Sequence, residues 1–575
     1  MNINSFFSSH INLKFLCVGF ILSILSLVRF GFAVNIGNDN EFIIPFLINV
    51  HPLESINEDL IFQSGYSNRT IFFDFLKIIF INFNTLYSSF FVYLFFLNSW
   101  FFVWHHIYIS LNIKSFFAYL FFIILISSPY LFTYSGPVLY DQYLTPRFLS
   151  LLVISIALLL YLKKRLYLSS LMIGFGLIFH IPTALPAVVL FMLNEIINRK
   201  ISKKSLYCVF LFAIPLSIFY YINFENLNKE FYLFNASSIW FSEIENRIPY
   251  LFFKNFNTEQ IIIIIGWFIL IPAFIFKFFK NKYGAFSYLL FLPILYLIIG
   301  QISIDFFKFP VAMVLQSSKF VNIYLIPLSL LLLIFLDNKS MTVFNWLLII
   351  LLLIYRSEFL PYVIFFIIIF KDYLNFKLTY IYKVIIIVFS LFSSFSINMN
   401  LYNSSFLNYL FTGWMHPHYG LRIEPFIWRT KIFIGDIEMW QSPQYSNDRI
   451  HLLNFIKDNI KINDLILVSG STIDDFYDFR SRTNRGLYWD NKSGGAMYYS
   501  TDKFVKEWTN RQYVNSMFSR IFESKNCNNI DNELLKELKD KNVYWYLVNN
   551  KVDCANDLLS LERRFSSHYL YRINY

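Results

Sequence analysis

Two carboxylates, Asp39 and Glu41, lie two residues apart in the sequence NIGNDNEF at residues 35–42. A carboxylate pair at this spacing can deprotonate a hydroxyl group or bind a divalent cation such as Mg²⁺ or Mn²⁺. The pair is therefore a candidate catalytic pair and a candidate metal site, and the alternative is an ordinary solvated loop. It opens a long connection, residues 35–85, and long organised connections are more often functional than short ones.

Further polar residues follow at separate places in the chain: Asp141, Arg147, His180, Gln316 and Lys319. An arginine can hold a phosphate or carboxylate through two parallel hydrogen bonds, whereas a lysine acts as a point charge. For Arg147 the alternative is contact with lipid headgroups, and for His180 it is simple packing. Taken together, these types predict a substrate-binding site for an anionic, phosphate-bearing ligand.

The end of the chain offers a second group of charged residues and a cysteine pair. The charged residues are Asp478, Arg480, Arg482, Arg485 and Lys492. They fit contact with a sugar polymer or, alternatively, a solvated surface with ion pairs. Cys527 and Cys554 are predicted to form a disulfide, because we expect their part of the chain to lie outside the cytoplasm.

The composition is far more apolar than that of an average globular domain. Of the 575 residues, 57% are hydrophobic and only 15% are charged, and the mean hydropathy is +0.50. This excludes collagen-like, disordered and disulfide-scaffold classes. The charge is uneven: about 11% of residues 1–398 are charged, against about 24% of residues 399–575. Most of the net charge of +11 belongs to the first part, where loop topology explains it without a nucleic-acid partner.

Apolar runs in the first part predict about thirteen membrane spans. Short basic loops alternate with longer acidic loops, which places the N-terminus in the cytoplasm and residues 399–575 outside it. The expected fold is an α-helical polytopic membrane bundle, residues 1–398, with an extracytoplasmic α/β domain, residues 399–575. The expected location is the bacterial inner (cytoplasmic) membrane, with the C-terminal domain in the periplasm.

The second part has the pattern of a small sheet flanked by helices. Periodicity predicts helices at 448–460, 502–522 and 531–541, and buried strands at 465–469 and 543–548. Alternation of strands and helices is typical of an α/β domain.

The long first loop with its acidic pair, the multi-spanning outline and the C-terminal α/β part resemble the GT-C superfamily of integral membrane glycosyltransferases. The short motifs that carry the narrower resemblance, to uncharacterised bacterial multi-spanning proteins, are GNDNEFIIPFL, HPL, TPRFLS, FHIPT, LQSSKF, DFRSRTNRGLYWDNK and KEWTNR. The resemblance implies transfer of a sugar from a polyprenyl-phosphate donor in a lipid bilayer to an envelope glycan or lipid acceptor. It assigns the base or metal-ligand role to Asp39 and then Glu41, and phosphate contact to Arg147 and Lys319. A transporter or flippase, or a non-catalytic scaffold for envelope polysaccharide assembly, remains the alternative.

Overall fold

The computed structural model describes twenty segments of the chain. They are residues 19–23, 59–60, 70–80, 85–127, 144–197, 203–227, 236–247, 251–256, 258–276, 290–315, 324–339, 341–354, 360–373, 447–469, 479–490, 493–494, 502–523, 532–552, 558–565 and 568–575.

The N-terminal part is built from helices. They are α1 Phe72–Phe80, α2 Thr85–Ser110, α3 Phe116–Ile126, α4 Pro146–Leu162, α5 Leu166–Phe179, α6 Ile181–Ile197, α7 Lys203–Leu227, α8 Ser238–Arg247, α9 Thr258–Ile264, α10 Leu292–Asp305, α11 Pro310–Leu315, α12 Leu325–Asn338, α13 Val343–Ile354 and α14 Leu360–Tyr373. A 3₁₀ turn, Phe253–Asn255, precedes α9, and a π-helical turn, Ile265–Leu270, follows it.

The predicted membrane bundle is wrong. Among the residues that the structure describes, no helix is both long enough and apolar enough to cross a bilayer. Crossing takes about 20 apolar residues, whereas α4 has 17, α10 has 14 and α3 has 11. The longer α2 carries Asn98, His105 and His106 in its second half. The count of about thirteen spans, the multi-pass description and the inner-membrane location with a periplasmic C-terminal domain are therefore corrected.

The span prediction was wrong because an apolar run in a sequence fits two kinds of helix. Such a run predicts a helix with few polar faces, but a buried core helix of 10–14 residues gives the same pattern as part of a longer span. The apolar run at 114–133 illustrates this, because α3 accounts for only Phe116–Ile126 of it. Five of its 11 residues, including Phe121 and Phe122, are buried against other helices.

Among the described helices, α4 and α5 form the most closely packed pair, and the short connection at 163–165 joins them. The Ser150 hydroxyl on α4 donates to the Gly176 carbonyl on α5 at 2.9 Å. Helix α7 packs on the other side of α5. There Gly174 permits a close approach, because a Cβ atom at this position would lie 2.5 Å from the Phe212 carbonyl oxygen.

One acidic side chain joins the end of α12 to the start of α3. The Asp337 carboxylate, near the end of α12, accepts hydrogen bonds from the backbone N–H groups of Lys114 (3.2 Å) and Ser115 (3.0 Å). Ser115 is also the N-cap of α3, and its hydroxyl accepts from the Ala118 N–H. The carboxylate thus satisfies donors at a helix N-terminus, where negative charge is favourable.

The C-terminal part contains a four-stranded sheet with helices α15 Asn447–Asn459, α16 Phe479–Thr483, α17 Asp502–Glu523 and α18 Asn532–Asp540. Its strands are β1 Leu465–Val468, β2 Val543–Val548, β3 Leu559–Arg564 and β4 Tyr569–Ile573, in the order β1-β2-β4-β3. Strands β1 and β2 are parallel and buried, with Ile466 paired to Trp545, and the other two pairs are antiparallel. The helices and the two buried strands predicted here are confirmed to within one or two residues.

One hydrophobic cluster joins the two parts of the chain. Its C-terminal members include Leu465 and Tyr546 of the sheet and Trp508 of α17. Its other members come from connections and helix ends of the N-terminal part: Leu60, Trp240, Phe241, Ile244, Leu251, Phe252, Ile304, Ala312 and Met313. The Ser237 hydroxyl, which caps α8, also donates to the Asp502 carboxylate at 2.8 Å. The sheet therefore packs on one end of the helical part.

Candidate functional site

An acidic site lies at this junction, where the end of α10 meets the segment 251–256. Asp305 is the last residue of α10, and one of its carboxylate oxygens accepts a hydrogen bond from the Phe253 N–H at 3.2 Å. One helical turn earlier, the buried Gln301 amide donates to the Leu251 carbonyl at 2.6 Å. Two side chains on one face of α10 thus hold the backbone of the 3₁₀ turn in place.

Two more charged groups lie beside Asp305. The Lys254 ammonium forms an ion pair with the Glu245 carboxylate at the end of α8. Both groups act on Asp305 electrostatically, the lysine favouring its charged form and the glutamate opposing it. The site therefore contains two carboxylates and one cation, drawn from three separate elements.

Burial raises the pKa of Asp305 above its ordinary value, and the neighbouring Glu245 charge adds to this. The Phe253 N–H and the Lys254 ammonium act in the opposite direction but do not cancel the effect of burial. A carboxylate at a helix C-terminus is also electrostatically unfavourable. Keeping Asp305 ionised thus costs free energy at this position. Such a raised carboxyl pKa is typical of a side chain that serves as a base.

The surroundings of Asp305 are aromatic and open. Phe306 directly follows it and is 80% exposed, and Phe253, which supplies the backbone donor, is 55% exposed. Exposed apolar side chains gathered beside charged groups are a common feature of ligand-binding surfaces. Gln301 adds a buried side-chain oxygen that has no hydrogen-bond partner among the described residues.

Of the site residues predicted from the sequence, Arg147 and His180 are described, and they lie at the same end of the α4–α5 pair. Arg147 is in the first turn of α4, whose N-cap is Thr145, and His180 ends α5. One His180 ring nitrogen is 2.8 Å from the Thr183 hydroxyl. The backbone carbonyl of His180 accepts a hydrogen bond from the Ser150 hydroxyl at 3.4 Å. The structure thus brings these two residues to a common end of the helices.

The other predicted residues lie outside the described residues: Asp39, Glu41, Asp141, Gln316, Lys319, Cys527 and Cys554. Their proposed roles as base, metal ligand, phosphate partner and disulfide stay predictions. Helix α11, which ends one residue before Gln316, contacts both α10 and α6. Helix α11 therefore packs against the helix that ends at Asp305 and against the helix that begins directly after His180.

Two arginines singled out in the C-terminal part are buried rather than exposed. Arg480 is 1% exposed and Arg485 is 9% exposed. Arg485 donates to the carbonyl oxygens of Lys457 and Ile460 at the end of α15, and to those of Thr483 and Asn484. Neither a sugar-polymer contact nor a solvated surface describes these two side chains.

In the described part of the chain, no three His, Cys, Asp or Glu side chains gather in an arrangement that suits a metal ion. Glu245 is already engaged by an ammonium group, and Asp305 by a backbone N–H. The divalent cation predicted from the Asp39 and Glu41 pair stays a prediction, because both residues lie outside the described residues.

Glu245, Lys254, Gln301 and Asp305 are not among the site residues predicted above from the sequence. A usable signal was present, because Gln301 and Asp305 are four residues apart at the end of an otherwise apolar helix.

Comparison with known proteins adds no relative to this picture. No family model matches the chain, and no curated protein or solved structure matches it either. The resemblance to GT-C enzymes and the expected partners, namely a lipid bilayer, a lipid-linked donor and a glycan acceptor, therefore stay predictions.

Proposed function

We propose that this chain catalyses glycosyl transfer from a phosphate-linked sugar donor, with Asp305 as the base and Lys254 as the cation for the leaving phosphate. The observation that carries the proposal is the grouping of a half-buried carboxyl, a second carboxylate and an ammonium beside exposed aromatic rings. The polyprenyl carrier and the envelope acceptor follow from the sequence resemblance alone.

The chemistry balances with these residues. A hydroxyl oxygen of the acceptor attacks the anomeric carbon of the donor sugar, and the bond between that carbon and the phosphate oxygen breaks. The departing phosphate keeps the electron pair, and the Lys254 ammonium offsets the charge that develops on it. The hydroxyl proton passes to the Asp305 carboxylate, whose raised pKa makes it a stronger base than an ordinary aspartate.

The neighbouring groups have supporting roles. Glu245 holds the Lys254 ammonium through their ion pair. The exposed rings of Phe253 and Phe306 offer apolar faces on which a sugar ring can stack. The Phe253 N–H keeps the Asp305 carboxylate oriented, so that its other oxygen is available for the proton.

The test uses the purified full-length chain with a panel of sugar-linked polyprenyl phosphates and a glycan acceptor. Mass spectrometry measures both the released polyprenyl phosphate and the glycosylated product. We expect Asp305→Asn to lower the rate at least about 100-fold, the lower end of the usual contribution of a general base. Glu243→Gln, on the same helix as Glu245, is the matched control and should keep the wild-type rate.

Two results would contradict the proposal. One is an Asp305→Asn variant that transfers sugar at the wild-type rate. The other is a folded wild-type chain that consumes no donor in the panel, which would favour a non-catalytic scaffold.

A further inference from the structure

The C-terminal sheet part binds one carboxylate of the helical part, the side chain of Asp59 in the first long connection. The Arg480 guanidinium donates from Nε to one Asp59 oxygen at 2.6 Å and from Nη2 to the other at 3.0 Å. The Leu487 N–H donates to the first oxygen at 2.8 Å. Such two-point guanidinium–carboxylate pairing is strong and geometrically specific.

The Arg480 guanidinium has a second carboxylate partner, and the whole arrangement is buried. Asp490 forms a second ion pair with the Arg480 guanidinium and accepts from the Ser493 N–H. The side chains of Arg480 and Asp59 are both only 1% exposed. Gly486 permits close packing against Leu465, since a Cβ atom there would lie 2.5 Å from a Leu465 methyl carbon, while an Asp59 oxygen would be at ordinary contact distance, 3.5 Å.

The next residue, Leu60, carries the contact into the helical part. It is 1% exposed and belongs to the cluster that includes Ile244, Leu251 and Ile304. Each of these three residues adjoins the acidic site. Ile244 directly precedes Glu245, and Ile304 directly precedes Asp305. The Leu251 carbonyl accepts the hydrogen bond from the Gln301 amide. Leu60 therefore packs in the same core as the residues that hold the acidic site.

We infer that Asp59 and Leu60 form a clip that fastens the sheet part to the helical part and, through this shared core, positions the walls of the acidic site. Asp59, Leu60 and Arg480 are positioning residues in this account. None of them takes part in the transfer chemistry, and the inference stands on the Arg480–Asp59 ion pair and on the packing of Leu60. Its test needs no substrate, so its failure is distinguishable from failure of the proposed transferase activity.

Hydrogen exchange of the full-length chain, followed by mass spectrometry, measures the effect on the acidic site directly. The reporter is a peptide covering residues 251–256, which includes the Phe253 amide bound to Asp305. We expect Asp59→Asn, which keeps the side-chain size but removes the charge, to raise exchange there at least about tenfold by favouring local opening. Peptides from α4 and α5 should exchange at the wild-type rate, and Asp59→Glu should restore part of the protection.

Leu60→Ala tests the apolar half of the clip without disturbing the buried charges. It should raise exchange at 251–256 as well. Tyr575→Phe is the matched control, because it removes a hydrogen bond from Tyr575 to the Val543 carbonyl in the same sheet. The control should leave residues 251–256 protected.

The inference is overturned if Asp59→Asn and Leu60→Ala leave exchange at 251–256 unchanged. It is equally overturned if both variants raise exchange throughout the chain to the same extent, because Asp59 and Leu60 would then be ordinary contributors to global stability.

Discussion

At the residue scale, two acidic groups show opposite ways of holding a charge inside this protein. Asp490 is buried beside the Arg480 guanidinium, and its partners outweigh the cost of burial. Asp305 accepts from the Phe253 N–H and lies near the solvent-facing Lys254, and these two groups do not outweigh the effect of burial on its pKa. A well-compensated charge serves the fold, whereas a poorly compensated one is a candidate for chemistry.

Asp305→Asn should stabilise the protein near neutral pH while removing activity. A carboxyl whose pKa is raised by folding contributes stability at low pH and loses it as the pH rises through the folded-state value. The ionised form therefore costs stability near neutral pH. Thermal unfolding should show a higher midpoint for the variant near pH 7 and no such difference below about pH 4, the ordinary aspartate pKa. A lower midpoint at pH 7 would contradict the assigned cost.

Replacing Arg480 with methionine should have the largest effect on stability. It leaves two buried carboxylates, Asp59 and Asp490, without their cation, and breaking a buried pair in this way costs about 3–5 kcal/mol. Denaturant unfolding near pH 7 measures the difference from the wild type. A loss below about 1 kcal/mol, the range of exposed ion pairs, would mean that water reaches Arg480 and its two carboxylate partners.

The pH dependence of stability should follow from Asp490. Burial alone would raise the pKa of Asp490, but the Arg480 guanidinium and the Ser493 N–H together hold it below the ordinary value. A depressed pKa contributes stability above the unfolded-state value, and this stability is lost as the pH falls through the folded-state value. Asp490→Asn should therefore make unfolding free energy less dependent on pH in the acid range, below about pH 4. An unchanged slope would show that Asp490 is not coupled to folding.

At the element scale, what could be predicted depended on the kind of pattern. Helices α15, α17 and α18 and strands β1 and β2 followed from periodicity, because polar faces and short lengths define them. The β3–β4 hairpin was not predicted, since β3 is an edge strand with only Leu559 buried and three charged residues at its end. The predicted spans failed because an apolar run contains no polar face that marks where a helix ends.

The site was only partly predictable for a different reason. Arg147 and His180 were predicted from residue type, and the packing of α4 against α5 brings them to the same end of that helix pair. Asp305 and Lys254 meet through a packing arrangement between α10 and the 251–256 segment. No local pattern encodes that arrangement, because it depends on contacts between residues about fifty positions apart.

Gly174→Ala tests the close packing of α5 against α7. The added methyl group would meet the backbone of Phe212 at 2.5 Å, so one helix has to move. We expect a loss of about 1–3 kcal/mol, the usual cost of overpacking, although alanine is the better helix former. Thermal or denaturant unfolding measures it. A stabilised variant would show that the two helices are not held at this distance.

At the scale of the whole molecule, one hydrophobic cluster contains residues of both the helical part and the sheet part, and the acidic site lies where the two parts meet. Residues near 60, 240–252, 304 and 312 all pack with the sheet. Shared cores of this kind make the geometry of a site depend on both parts at once. Asp305 is partly desolvated at this junction, and the proposed role as a base depends on that state.

Carboxyl labelling of the intact chain as a function of pH tests this claim most directly, because it needs no substrate. Carbodiimide activation requires the protonated carboxyl, and mass spectrometry reads the labelled fraction of Asp305, with Asp305→Asn as the blank and the exposed Glu562 as the reference. We expect a half-labelling pH for Asp305 clearly above the ordinary aspartate value of about 4. A half-labelling pH at or below that value would contradict the claim.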